Sequence, residues 1–385
     1  MRGFCDGFVA VLLPAYLLSL GFSQLDVGLI GTTTLAGSAV ATIAAGMLAT
    51  RFTQRRMLTL AAALMAATGI GFASFTTWWP LLVIAFAGTL NPSSGDVSLF
   101  LPLEQSHLAQ AAGGNARTAL FARYSVVGAV SAAVGSLAAG LPIWLAAHAG
   151  ITAAAAMRGM FVVYAVTGAI VCALYRRLPR TDTQAAKAPP PLGPSRPIVM
   201  RLALLFSVDA FAGGLVVNSL LSLWLMQRFG LSIAAAGQFF FCAGLLSAGS
   251  QLAAAPLSRR IGLLNTMVFT HIPSSVCLIG AAFATSLPVA LTLLLIRSAL
   301  SQMDVPTRTA YVMAVVTPAE RPAAASFTSV PRSLAAAVGP TLAGALFGLG
   351  WLGAPLVACG ALKIAYDLSL LAAFRHVGPD DDRAR

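Results

Sequence analysis

DGFVAVLLPAYLLSL, from Asp6 to Leu20, and DAFAGGLVVNSLLSL, from Asp209 to Leu223, follow one pattern. In each, an Asp and then a Phe open an apolar run, and a matching stretch starts ten residues after the Asp, at Tyr16 and Ser219. The correspondence continues along the chain. Asp96 lies 16 residues after Pro80, and Asp304 lies 16 residues after Pro288. Arg117 precedes Gly135 and Gly140 by 18 and 23 residues, and Arg321 precedes Gly339 and Gly344 by the same distances. The second half therefore repeats the first, and the repeat carries acids inside apolar segments. An ionised carboxylate in hydrocarbon is costly, so such acids are functional candidates.

Composition sets the medium. The chain is 58% hydrophobic and 9% charged, with mean hydropathy +0.84, values that exclude a soluble domain of this length. About 20 apolar residues span a bilayer. Twelve such runs occur, near 4–20, 27–50, 57–76, 80–103, 118–147, 157–175, 198–226, 232–256, 264–286, 288–312, 323–349 and 352–374. The reading is an all-α polytopic membrane protein, twelve transmembrane helices in two pseudo-symmetric six-helix bundles. Many secondary transporters are parallel duplications of this kind, with the site at the interface of the repeats.

The net charge of +12 raises nucleic acid as a partner, but the charges follow topology instead. With the N-terminus cytoplasmic, 17 of 24 basic residues fall inside: Arg2, Arg51, Arg55, Arg56, Arg117, Arg176, Arg177, Arg180, Lys187, Arg196, Arg201, Arg259, Arg260, Arg321, Arg375, Arg383 and Arg385. Arg158 and Arg228 fall outside; Arg123, Arg297, Arg308, Arg332 and Lys363 lie within helices. The positive-inside rule then puts both termini in the cytoplasm of a cell inner (plasma) membrane. Cys5, Cys172, Cys242, Cys277 and Cys359 all sit in apolar runs without metal or redox spacing, so no metal, cofactor or disulfide is expected. No cleavable signal stands out. Only five residues precede Asp6 against about eleven in the seventh run before Asp209, so either the first helix is short at its cytoplasmic end or, the preferred expectation, the start codon lies upstream of Met1.

RRLPRTDTQAAKAPPPLGPSRP, between the halves, is basic and proline-rich and reads as a cytoplasmic linker. The expected division is 1–175, an N-terminal bundle; 176–197, the linker; 198–374, a C-terminal bundle; and 375–385, a cytoplasmic tail. Six helices, a basic linker and six related helices resemble the major facilitator superfamily over nearly the whole chain. That family's loop after the second helix reads Gly-x-Leu-x-Asp-Arg-x-Gly-Arg-Arg; here Gly46, Leu48, Arg51, Arg55 and Arg56 match, while Thr50 and Thr53 replace the Asp and second Gly. The repeat copy keeps Arg260 and Gly262. The resemblance assigns these residues to a gating loop. GSLAAG (Gly135–Gly140) and GPTLAG (Gly339–Gly344) resemble the glycine-rich fifth helix of drug–proton antiporters, with Ser136 in place of a proline; close helix packing is the simpler reading.

Asp6, Asp96, Asp209 and Asp304 are the candidate proton-coupling groups. Helix four is interrupted by Asn91-Pro92 and Gly95, and interrupted helices line cavities. Arg123 at similar depth to Asp96 suggests an Asp96–Arg123 pair and a repeat-related Asp304–Arg332 pair, whether as gates or as fixed latches. Asp304 and Arg308, four apart, share a helix face. Asp6 and Asp209 have no evident cation on their own helices. Arg123, Arg297 and Arg332 are candidate anion ligands or counter-charges, and Asn91, Asn218, Tyr16 and Tyr124 candidate substrate contacts. Lys363 and Asp367, four apart, read as a structural pair, and His271 as a packing contact. HExxH, phosphate-loop and GxSxG motifs are all missing, so no enzyme is expected. The expectation is a monomeric secondary transporter of a small organic solute by alternating access, proton-coupled and exporting; uptake of a metabolite and a non-transporting sensor or scaffold are the alternatives.

Overall fold

The computed structural model describes residues 1–48, 51–93, 99–111, 114–178, 192–317 and 320–375. Among them run sixteen helices and no strand: α1 Arg2–Ser19, α2 Gln24–Leu48, α3 Gln54–Ser74, α4 Trp78–Ala87, α5 Phe100–Ala111, α6 Gly114–Ala138, α7 Leu141–Ala149, α8 Ala153–Arg176, α9 Arg196–Gly214, α10 Asn218–Phe229, α11 Ile233–Ile261, α12 Leu263–Phe283, α13 Leu287–Ser301, α14 Asp304–Val315, α15 Arg321–Gly348 and α16 Ala354–Phe374. Eleven spans are long and apolar enough to cross a membrane; α4 is a shorter apolar helix that, continued by α5, supplies the interrupted fourth span.

The interruptions have local causes. α4 ends at Gly88, whose backbone is extended, and Pro92 lacks the N–H that would continue a helix. The Asn91 side-chain carbonyl then accepts from the Ser93 N–H (3.1 Å) and hydroxyl (2.8 Å), closing a turn. The seventh span breaks at 215–217, after the Gly213-Gly214 pair, and restarts as α10. Backbone groups freed at membrane depth must be met by protein. The Ser219 N–H donates to the Pro92 carbonyl (3.1 Å) and the Asn218 amide donates to the Ser93 carbonyl (3.3 Å), so each break helps to satisfy the other.

The chain forms two compact units. The first comprises Met1–Ala186, Val217–Phe241 and Phe347–Leu349; the second comprises Lys187–Val216, Cys242–Leu346 and Gly350–Arg385. In the first, α1 is buried on every side, with Phe8, Val9, Val11, Leu12 and Tyr16 inaccessible. Tyr16 packs on Phe161, which stacks on Phe72, and the Tyr16 hydroxyl donates to the Phe72 carbonyl at 2.9 Å. The core of the second gathers Val199, Leu202, Phe206, Val268, Tyr366 and Leu370. Large apolar side chains such as Trp79 and Phe283 remain exposed. In lipid that is the favourable arrangement, and it removes the usual hydrophobic drive for one helix to seek another.

Close packing of small residues takes over that role. A Cβ on Gly7 would lie 1.9 Å from the Ala132 carbonyl oxygen, and one on Gly135 would lie 1.9 Å from that of Phe4. Ser136, where the resembled antiporters have proline, donates instead to the Ala132 (3.1 Å) and Gly7 (3.3 Å) carbonyls. In the second unit a Cβ on Gly339 would meet the Gly214 carbonyl carbon at 2.2 Å. GSLAAG and GPTLAG are thus helix-contact surfaces.

The start of α9 is anchored by Glu320, just before α15 and outside the apolar spans. Its carboxylate accepts from the Gly193 and Ser195 N–H groups (the latter 3.2 Å) and from the Thr317 hydroxyl (2.7 Å). These donors favour the ionised form and hold the carboxyl down at about 2, against 4.5 ordinarily. The folded value is the lower, so the anchor is complete above pH 4.5 and is lost as pH falls towards 2. The protection factors of the Gly193 and Ser195 amides, each referred to the intrinsic exchange rate at that pH, should fall over that window, and Glu320→Ala should show the low protection already at neutral pH. Slow exchange in the variant would remove Glu320 from this role.

Candidate functional site

The second unit brings six ionisable side chains from four helices together. Asp209 of α9 is the hub. Its Oδ2 accepts from Arg308 Nη1 of α14 at 2.9 Å, and its Oδ1 accepts from Lys363 Nζ of α16 at 2.5 Å. Arg308 also holds Asp304, one turn earlier on its own helix, at 3.5 Å. His271 of α12 places Nδ1 3.0 and 3.1 Å from the two oxygens of Asp367 on α16. Its Nε2 lies 3.3 Å from Lys363 Nζ and 3.9 Å from Asp209 Oδ1. Asp367 is wholly buried, and Asp209, His271, Asp304 and Arg308 are nearly so.

This geometry corrects three readings of the sequence. Lys363 does not neutralise Asp367; it crosses to Asp209, and Asp367 is taken by His271. His271 is therefore part of a charged network rather than a packing contact. No Asp304–Arg332 ion pair occurs among the described residues; the cation that meets Asp304 is Arg308, on the same helix, at 3.5 Å. Arg332 lies half-buried on α15. Asp209, which lacked an evident partner in the sequence, has two.

The first unit is built differently. Glu104 of α5 is its polar hub, accepting from Arg2 of α1 at 3.1 Å, from the Tyr175 hydroxyl of α8 at 2.5 Å and from the Tyr124 hydroxyl of α6. The Arg2 guanidinium also lies over the Phe100 ring, 4.8 Å from its centroid, while in the second unit Arg308 lies 5.6 Å over Phe206. Asp6 sits one turn beyond Arg2 on α1, which corrects the reading that its own helix offers it no cation. Only 6% exposed, it makes no hydrogen bond and no ion pair within 4.0 Å among the described residues.

Of the remaining candidates, Tyr16 and Tyr124 are engaged inside the first unit, and Asn218 caps the break in helix four. The Asn91 amide nitrogen is buried without a hydrogen-bond partner among the described residues. Arg123 is exposed on α6, and Asp96 lies outside the described residues, as does the pairing proposed for them. Arg297 of α13 makes no ion pair among the described residues. In the loop regions Gly46, Arg51, Arg56 and Arg260 are exposed and Arg55 half-buried, while Thr53 caps α3 by accepting from the Arg56 N–H. Gly262, at φ 88°, turns α11 into α12, a backbone conformation that favours glycine.

Glu104 and Tyr175 were not singled out from the sequence. A carboxylate and an aromatic hydroxyl at the ends of apolar runs were the available signal.

A twelve-span duplication with interrupted fourth, seventh and tenth spans restricts the family, and the Major Facilitator Superfamily pattern matches residues 1–302 and 202–384. The chain belongs to the Major Facilitator Superfamily. It is 24% identical to the membrane protein YJR124C of Saccharomyces cerevisiae over 404 aligned positions, covering 96% of this chain and 90% of that protein. Among superfamily structures, it superposes on the nucleoside transporter NupG (D323A mutant) with a TM-score of 0.75 at 13% identity, covering 97% of each chain. A D-xylose–proton symporter superposes with a TM-score of 0.73 at 17% identity, covering 98% of this chain and 95% of that one. The chain is a multi-pass membrane transporter of a solute, as its superfamily is.

Proposed function

We propose that the chain is a proton-coupled secondary transporter that exports a small organic solute by alternating access, and that Asp6 is the carboxyl that loads and releases the proton. The supporting observation is the contrast among the described acids that were candidates. Asp209 and Asp304 make direct ion pairs with permanent cations, whereas Asp6 makes none within 4.0 Å among the described residues: Arg2, one turn away, is bonded to Glu104. A buried carboxyl without a direct partner is cheapest to carry neutral and is charged when water or a substrate cation reaches it. That is the behaviour a proton carrier needs. Arg297, without a carboxylate against it among the described residues, favours an anionic or zwitterionic solute. Basic loop residues support a plasma-membrane orientation with both termini cytoplasmic. The working unit is a monomer of two six-helix halves, 1–175 and 198–374, joined by 176–197.

The test is a tolerance and uptake panel in an efflux-deficient bacterial host, followed by proteoliposome transport of any compound it reveals. Wild type should protect cells from that compound and move it uphill on a pH gradient. Asp6→Asn, at equal expression, should abolish uphill transport while exchange down a concentration gradient persists. Uphill transport that survives Asp6→Asn would remove Asp6 as the carrier. Accumulation in wild-type cells would reverse the direction, and a silent panel in both assays would favour a scaffold.

A further inference from the structure

We propose that His271 is a second proton-binding site, separate from Asp6, in which a proton on Nε2 displaces Lys363 from the imidazole. The donor and acceptor chemistry of the cluster carries this. A lysine ammonium can only donate. At 3.3 Å from Lys363 Nζ, the His271 Nε2 must therefore be the acceptor, with its lone pair towards the ammonium. The other ring nitrogen then carries the hydrogen and donates it to Asp367, whose two oxygens lie 3.0 and 3.1 Å away. The partners thus fix one neutral tautomer, Nδ1–H.

Among the described residues, the carboxylates Asp209, Asp304 and Asp367 surround the imidazole and its cationic neighbours Arg308 and Lys363. A proton taken from water onto Nε2 has a carboxylate oxygen of the hub in front of it. The same proton turns the acceptor into a donor and breaks the Lys363 N–H···N hydrogen bond. Nε2–H then faces Asp209 Oδ1, 3.9 Å away, the atom that Lys363 also holds. Imidazolium and ammonium compete for one oxygen, so protonation loosens the Lys363–Asp209 contact, while the His271–Asp367 contact becomes a full charge pair.

The groups facing His271 from each packed element agree with this assignment. From α9 comes Asp209; from α14, Arg308 and Asp304; from α16, Lys363, Asp367 and the Tyr366 ring. From α13, Arg297 approaches through its carbonyl, which accepts from Ser274, and its side chain makes no ion pair among the described residues.

The experiment is nitrogen-15 NMR of histidine-labelled full-length protein in lipid bilayers, with His107, His148 and His376 each changed to Gln so that His271 reports alone. At the alkaline end of a pH series the spectrum should show Nδ1 protonated and Nε2 bare; at the acidic end, both protonated. A neutral Nε2–H tautomer, or an imidazole in one state throughout, would overturn the proposal. If the triple variant does not fold, the difference between wild type and His271→Gln isolates the same signal. Glutamine can donate to Asp367 and accept from Lys363 but takes no proton, so it should fold while flattening the acid limb of the transport pH profile. An unchanged profile in a folded His271→Gln protein would also count against the proposal. The NMR signal belongs to the imidazole itself, so it decides His271 whether or not Asp6 proves to be the transport carboxyl.

Discussion

Asp209→Asn should destabilise the protein by about 3–5 kcal/mol, the usual cost of removing one member of a buried ion pair. The substitution is nearly isosteric, so packing is preserved and the effect is electrostatic. It strips Arg308 of its 2.9 Å contact and Lys363 of its 2.5 Å contact at once. Asp304, at 3.5 Å, keeps a hold on Arg308, but Lys363 is left with a neutral amide and the lone pair of His271. Buried pairs replaced as a whole are far better tolerated than pairs cut in half. Accordingly, Asp209→Asn combined with Lys363→Met should be more stable than Asp209→Asn alone. Thermal unfolding of the purified variants in detergent measures both. A single variant within about 1 kcal/mol of wild type would mean that water already screens the network.

Gly135→Val and Gly339→Val should be comparably severe for a steric reason. A Cβ at Gly135 would sit 1.9 Å from a backbone oxygen of α1, and one at Gly339 2.2 Å from a backbone carbon of α9. No rotamer relieves a clash at Cβ, so α6 must leave α1 and α15 must leave α9. Overpacking a tight core costs about 1–3 kcal/mol and sometimes more. Here it also dismantles the close approach that substitutes for the hydrophobic effect in lipid, so the upper end is expected. Gly128, on the same helix as Gly135, has open space where its Cβ would be, and Gly128→Val is the matched control. Folded yield and detergent melting temperature should fall for the first two variants and hold for the third. Equal loss in all three would point to helix propensity rather than contact.

How much of this was legible in the sequence depended on whether a property belongs to one helix or to two. The twelve spans, the break at Asn91-Pro92, the packing glycines and the Asp304–Arg308 pair are written within single segments, where period and spacing suffice. Lys363 and Asp367 also satisfy the i, i+4 rule, yet they part company. Each finds a better partner on a neighbouring helix, Asp209 and His271. Which faces meet depends on the rotation of each helix about its axis, and an all-apolar span carries little periodicity to reveal it. The break at 215–217 had a signal in Gly213-Gly214, but two small residues equally mark a contact surface, and Gly214 serves as one.

The two cation–aromatic contacts bear on the history of the duplication. In the first unit the first span supplies the cation, Arg2, and the fourth the ring, Phe100; in the second the seventh span supplies the ring, Phe206, and the tenth the cation, Arg308. Charge and ring have traded spans between the copies: Phe100 lies four residues after Asp96, and Arg308 four after Asp304. Each contact is complete within its own unit, so neither copy depends on the other for it, and a chain assembled from two copies of either half would keep the contact twice.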